Sequence, residues 1–182
     1  MQKQHVIISA VAILILGYFI ITGSGKLDSP EKSNQASVNQ AVSNIEQSKK
    51  IIQAKFSGEQ GEKVILENSQ IKLDAKIFDD NLAHFYNVEL NGKNIYFFVV
   101  KDKQGIYRAA ANACQVCYGA RIGFRQEGDF MTCNTCGNKY PMAKIATEKG
   151  GCNPGPINPN LEVINDQVII NKPDIEQVAN FF

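Results

Sequence analysis

Apolar positions along this chain fall into three regimes. From Val6 to Thr22 the sequence reads VIISAVAILILGYFIIT, seventeen residues without a charge, behind a short start carrying Lys3. A helix of that length spans roughly 25 Å, slightly short of a bilayer core of about 30 Å and adequate with flanking anchors. The run predicts an N-terminal membrane anchor over 1–22, with a cleaved signal peptide as the alternative. Thr22-Gly23-Ser24-Gly25 offers no clear A-x-A cleavage site, and no lipobox cysteine follows. Lys3 ahead of the run favours a cytoplasmic N-terminus and an extracytoplasmic remainder, a bias weakened by Lys26 just beyond it.

The second regime, over 23–50, is rich in Ser, Asn, Gln, Lys and Glu. It cannot bury enough apolar area to offset chain entropy and predicts a polar linker. Val38, Val42, Ile45 and Ile52 recur at roughly helical spacing, so a short amphipathic helix is expected near its end.

In the third regime, 51–182, the period is mostly two, which predicts one β-rich domain. His84–Leu90 and Ile95–Val100 flank Asn91-Gly92, the strongest short hairpin signal. A turn over Asp102 to Gly105 leads into a strand from Ile106 to Ala111. Val64-Ile65-Leu66 and Ile71 to Phe78 read as further strands. Leu161–Ile164 and Val168–Ile170 bracket Asn165-Asp166 as a second hairpin, and Pro173-Asp174 starts a short terminal helix. The expected class is mainly β, or β-rich α+β: a small antiparallel domain carrying a cysteine-rich loop region, behind one transmembrane helix.

Charge narrows the partners. Nineteen Lys and Arg against 18 Asp and Glu give a net charge of +1, without the basic excess that a nucleic-acid partner requires. No Ser/His/Asp set, phosphate-binding glycine loop or paired carboxylate is visible, so hydrolase and kinase chemistry have no support and no small-molecule pocket is expected.

All five cysteines fall in the C-terminal half: Cys114-x2-Cys117, fifteen residues, Cys133-x2-Cys136, fifteen more, then Cys152. Two C-x-x-C pairs at this separation are a specific metal-site signature, because two tight turns approaching from opposite sides can present four sulfurs to one ion. Gly119 and Gly137 are placed to let those turns take positive φ and aim backbone N–H groups at sulfur. Disulfides are the competing reading, but an odd count leaves one thiol over. Haem attachment fails, because Tyr118 and Gly137, not His, follow the pairs. Spacing does not separate iron from zinc. Cys152 lies in Gly150-Gly-Cys-Asn-Pro-Gly-Pro156, a stretch expected to be loop and neither strand nor helix. It is a candidate cluster ligand, a resolving thiol or a buried cysteine.

Asn112-Ala-Cys114-x2-Cys117, Gly123-Phe-Arg-Gln126, Cys133-x2-Cys136-Gly137 and Gly150-Gly-Cys-Asn-Pro154 together resemble the FtrD-like membrane iron-sulfur family, over roughly Ile71 to Ile170. The resemblance implies an iron-sulfur cluster or mononuclear iron on the outer face of a membrane, with Cys114, Cys117, Cys133, Cys136 and Cys152 as ligands. It also implies electron transfer linked to iron uptake, with a redox partner such as a membrane permease or a cupredoxin-like protein. A single hydrophobic segment departs from the polytopic members, and Asn112 stands where many relatives carry an acidic residue.

Around the cysteines, Tyr107, Tyr118, Phe124 and Tyr140 are expected to form an apolar shell. His84 is expected to be a packed, hydrogen-bonded strand residue, and Glu127 and Asp129 to be solvated turn residues. The leading expectation is a membrane-tethered, extracytoplasmic electron-transfer module. A structural zinc ribbon on a binding module and a thiol–disulfide oxidoreductase are the alternatives, the last without a surrounding βαβ pattern.

Overall fold

The structure, a computed structural model, describes residues 39–40 and 55–182. By internal packing the chain divides into units 1–47 and 48–182. In the first, Asn39 and Gln40 are helical and exposed. The expected anchor over 1–22 and the rest of the linker lie outside the described residues, among which no helix is long and apolar enough to cross a membrane.

The second unit is built on a five-stranded sheet ordered β1-β3-β4-β5-β9, comprising β1 (Glu62–Val64), β3 (His84–Leu90), β4 (Lys93–Lys101), β5 (Tyr107–Cys114) and β9 (Pro154–Asn158). β3 and β4 form the expected hairpin. Asn91 and Gly92 take φ of 52° and 75°, and Leu90 pairs with Lys93, as a two-residue turn with positive φ requires. The β4–β5 turn is fastened by Asp102, whose Oδ1 accepts the N–H groups of Gln104 and Ile106 and whose Oδ2 accepts from Arg108 Nε.

Both faces of this sheet are covered, which is why Phe97-Phe98-Val99-Val100 is apolar without alternation and wholly buried. On one face Tyr86, Val88, Ile95, Phe97, Ala109 and Ala111 join a core supplied by β2 (Gln70–Asp74), β11 (Gln167–Asn171) and the short helix α1 (Lys172–Glu176). β2, β11 and β10 (Glu162–Ile164) form their own antiparallel sheet, and Asn165-Asp166 makes the second expected hairpin with φ of 51° and 60°. On the opposite face Phe98, Val100, Ala110 and Cys114 pack against Phe124, Met131, Cys133, Met142 and Ile145. That layer comes from a three-stranded sheet of β6 (Phe124–Glu127), β7 (Phe130–Cys133) and β8 (Lys139–Pro141).

Three strand expectations are revised. The strand expected to run to Phe78 stops at Asp74, where the Asp74 carboxylate accepts the Lys76 N–H at 2.9 Å and starts a 3-10 helix over Ala75–Asp80. The strand expected over Val64–Leu66 is β1, two residues earlier in the chain. It pairs with β3 in parallel, which an all-antiparallel reading does not contain. The intervening excursion through β2 in the other sheet supplies the crossover that a parallel pair needs. Pro154-Gly155-Pro156, expected to be loop, forms β9 instead. It lies at the sheet edge with irregular register against β5, where prolines are tolerated because the outer side asks for no N–H donor.

Candidate metal centre

Alternation along β5 sends Tyr107, Ala109, Ala111 and Ala113 to the first core and Ala110 and Cys114 to the second. Cys114 thus ends its strand buried beside Cys133, which ends β7. After Cys114 the chain turns so that the Cys117 N–H donates to Cys114 Sγ at 3.3 Å. A 3-10 helix over Tyr118–Ala120 follows, and Arg121, with φ 59°, takes the left-handed conformation that ends it. The role expected of Gly119 therefore falls to Arg121.

At the second pair Gly137 does take positive φ, 74°, and its N–H donates to the Cys133 carbonyl at 2.9 Å. The N–H groups of Cys136 and Thr135 act to lower the Cys133 pKa, and that of Asn138 acts to lower the Cys136 pKa. Such donors stabilise charge on sulfur.

Cys152 is delivered by β9, where Pro154 pairs in register with Cys114. Gln115, inside the first C-x-x-C, grips the whole box. Its N–H donates to the Asn153 carbonyl at 2.9 Å, its Oε1 accepts the Gly150 N–H at 3.0 Å, and its Nε2 donates to the Pro154 carbonyl at 3.4 Å. Asn153 Nδ2 closes the loop on the Gly150 carbonyl at 2.9 Å.

All five thiols are free and converge. Their sulfurs close into two trios, each mutually within 4.8 Å: Cys114, Cys117 and Cys133, and Cys117, Cys136 and Cys152. The first is mostly buried, and the second reaches solvent at Cys136. Charge on sulfur is unevenly favoured. The Asn138 N–H, more than the thiols around it, draws the Cys136 pKa down. Burial raises those of Cys133 and Cys152. Cys117, hydrogen-bonded to Cys114 and partly desolvated, is pushed up to about 12. A thiol set supplied with backbone donors fits a soft, sulfur-preferring metal centre.

Three amides that the sequence reading left without a role hold the frame. Asn112, fully buried, accepts the Phe124 N–H and donates to the Glu59 carbonyl, both at 2.7 Å. Asn134, between the second pair of cysteines, donates to the Ile122 carbonyl at 2.7 Å and accepts from Arg125. Gln126 Oε1 accepts the Ala83 N–H at 2.6 Å while its Nε2 donates to the Gly128 carbonyl at 2.9 Å, tying the small sheet to the central one. The available signal was a polar residue inside an apolar run, as Asn112 is within Ala109–Ala113.

Of the expected apolar shell, Phe124 and Tyr140 do pack at the cysteine layer. Tyr118 is partly exposed and leans on Phe181. Tyr107 faces the other core, edge-on to Phe78, because its odd position on β5 points it there. His84 is half-buried against Phe78 with its ring nitrogen 3.0 Å from Asp80, away from the thiols. Glu127 is a strand residue paired with Arg125 and Lys139, and Asp129 pairs with Lys103.

Fold and site together define a β-rich domain with a cluster of five thiols, two trios of which are spaced as a metal ion would need. A family model for the membrane iron-sulfur containing protein FtrD-like matches residues 78–182, more than half of the chain, and the chain belongs to that family. No curated protein and no solved structure matches it.

Proposed function

We propose that this protein is a membrane-tethered electron carrier whose iron centre is held by Cys114, Cys117, Cys133 and Cys136, with Cys152 as a fifth ligand. One observation carries the reading. The thiols grade from a mostly buried trio to one that reaches solvent at Cys136, in a cluster where Cys114 Sγ accepts the Cys117 N–H. Burial on one side shields a redox centre and shapes its potential, while exposure on the other gives electrons a short path to a docked protein. Bound iron would supply the one-electron couple. The chain's own part is to fix the thiolates, donate N–H groups to them and exclude water from the Phe98–Phe124 side.

In this reading residues 1–22 anchor the chain by a single span, 23–50 form the linker, and 51–182 lie outside the cytoplasm. The redox partner is a membrane permease or a cupredoxin-like protein, and the electron flow serves iron uptake.

The test is metal and sulfide analysis of the full chain, purified anaerobically in detergent, with visible and EPR spectra. Iron with a reversible spectroscopic change is the expected result. Colourless protein with stoichiometric zinc overturns it in favour of a structural zinc ribbon. Metal-free protein with titratable disulfides overturns it in favour of thiol–disulfide exchange.

A further inference from the structure

A single four-thiolate ion makes a definite geometric demand. With metal–sulfur bonds of about 2.3 Å in a tetrahedron, every pair of ligand sulfurs sits about 3.8 Å apart, so four sulfurs must all be mutual neighbours. The five sulfurs here do not group that way. They close into two sets of three, and Cys117 is the member common to both.

The trios are also built by separate devices. Cys114 and Cys133 end strands of two packed sheets in the core of Phe98 and Phe124, with Cys114 capped by the Cys117 N–H. Cys136 is set by the Gly137 reversal and Cys152 by the hydrogen bonds of Gln115 to Gly150, Asn153 and Pro154. Nothing in the first pair of devices requires Cys152. A glutamine inside one C-x-x-C that grips the box carrying the fifth thiol has a purpose only if that thiol must stand at a fixed place.

We infer that the five thiols are laid out for two metal ions, an inner one at Cys114, Cys117 and Cys133 and an outer one at Cys117, Cys136 and Cys152, with the Cys117 thiolate donating to both. The inference rests on the cluster being a metal centre and goes beyond it in number and in the assignment of Cys152. A thiolate has lone pairs enough for two cations, and three sulfurs leave each ion one further position for a bridging or exogenous ligand. The ions are soft or borderline divalent cations of the iron or zinc type. The inner position is mostly buried. The outer one opens at Cys136 and exchanges its ion first.

Cobalt(II) is the probe, because its thiolate charge-transfer absorption counts sulfur ligands without reference to electron transfer. The full chain, stripped of metal anaerobically, is titrated with cobalt(II) and read by absorption and native mass spectrometry, with alkylation mapped cysteine by cysteine. Two ions per chain are expected. Cys152→Ser should bind one, with Cys114 and Cys133 still protected from alkylation. Cys117→Ser should lose tight binding of both. Cys152 is on the open side, and an unchanged near-ultraviolet circular dichroism spectrum of its variant separates ligand loss from misfolding. Saturation at one ion in the wild type, or two ions in Cys152→Ser, overturns the two-ion inference while the electron-carrier reading stands. A wild type that binds none overturns both.

Discussion

Gln115 accepts the Gly150 N–H on its side-chain oxygen at 3.0 Å, so a residue inside the first C-x-x-C fixes the loop that carries the last cysteine thirty-seven positions along. The thiol centre is therefore assembled by contacts among its own loops and not by strand ends alone.

Gln115→Ala removes two side-chain hydrogen bonds and leaves the backbone bond to Asn153 in place. The expected loss is about 1 kcal/mol in urea denaturation, since exposed and partly buried hydrogen bonds each contribute about that much or less. Cys152 should alkylate several-fold faster in the metal-free protein, with Cys114 and Cys133 unaffected. Equal acceleration at all five cysteines would show that Gln115 supports the fold generally and not the box.

Asn112 separates two substitutions that look alike on paper. Asn112→Ala strands the Phe124 N–H and the Glu59 carbonyl and should cost about 2–3 kcal/mol. Asn112→Asp keeps the acceptor for Phe124 but sets a carboxylate against the Glu59 carbonyl. Burial raises the pKa of such an acid, and a raised folded-state pKa means its stability is retained below the unfolded value and lost as pH rises. Relative to wild type, Asn112→Asp should be least destabilised in acid, where the protonated carboxyl can donate as the amide does. A deficit independent of pH would contradict this.

Lys139 and then Arg125 hold the half-buried Glu127 carboxylate down to about 2, against an ordinary 4.5. A depressed folded-state pKa gives stability that is complete above the unfolded value and lost as pH falls through the folded one. The wild type should therefore lose a small increment between about 4.5 and about 2 that Glu127→Gln lacks. Added salt should shrink the difference, as for any exposed pair. Denaturation midpoints across that window provide the check.

Phe98 is fully buried under the thiol layer, between Phe85 and Phe124. Phe98→Ala should cost about 3–5 kcal/mol through lost burial and the cavity left behind. Val163→Ala, at an exposed position on β10, should stay within about 0.5 kcal/mol of wild type. Thermal or chemical unfolding of the pair gives the comparison. A loss below about 1 kcal/mol at Phe98 would mean the second core collapses to fill the space.

Local chemistry was readable wherever a short segment settles its own conformation. Asn91-Gly92 and Asn165-Asp166 fix their hairpins because the turn itself demands positive φ. Pro173 near the start of α1 has its φ already set for a helix. Cysteine spacing pointed to the thiols because a C-x-x-C turn needs few partners. The errors arose where a remote strand decided: Pro154–Pro156 became strand because β5 offered an edge, and Tyr107 turned from the thiols because its parity on β5 was set by the register with β4.

From the sequence alone came the mainly β class, both hairpins and the five thiols with the family motifs around them, since each rests on contacts within a few residues. Tertiary structure alone decided that the central sheet is covered on both faces, that Asn112, Gln115 and Asn134 frame the site, and that Cys117 stands between two trios. Those relations join positions tens of residues apart. Nothing in a local pattern carries the distance between two sulfurs until the strands that hold them have packed.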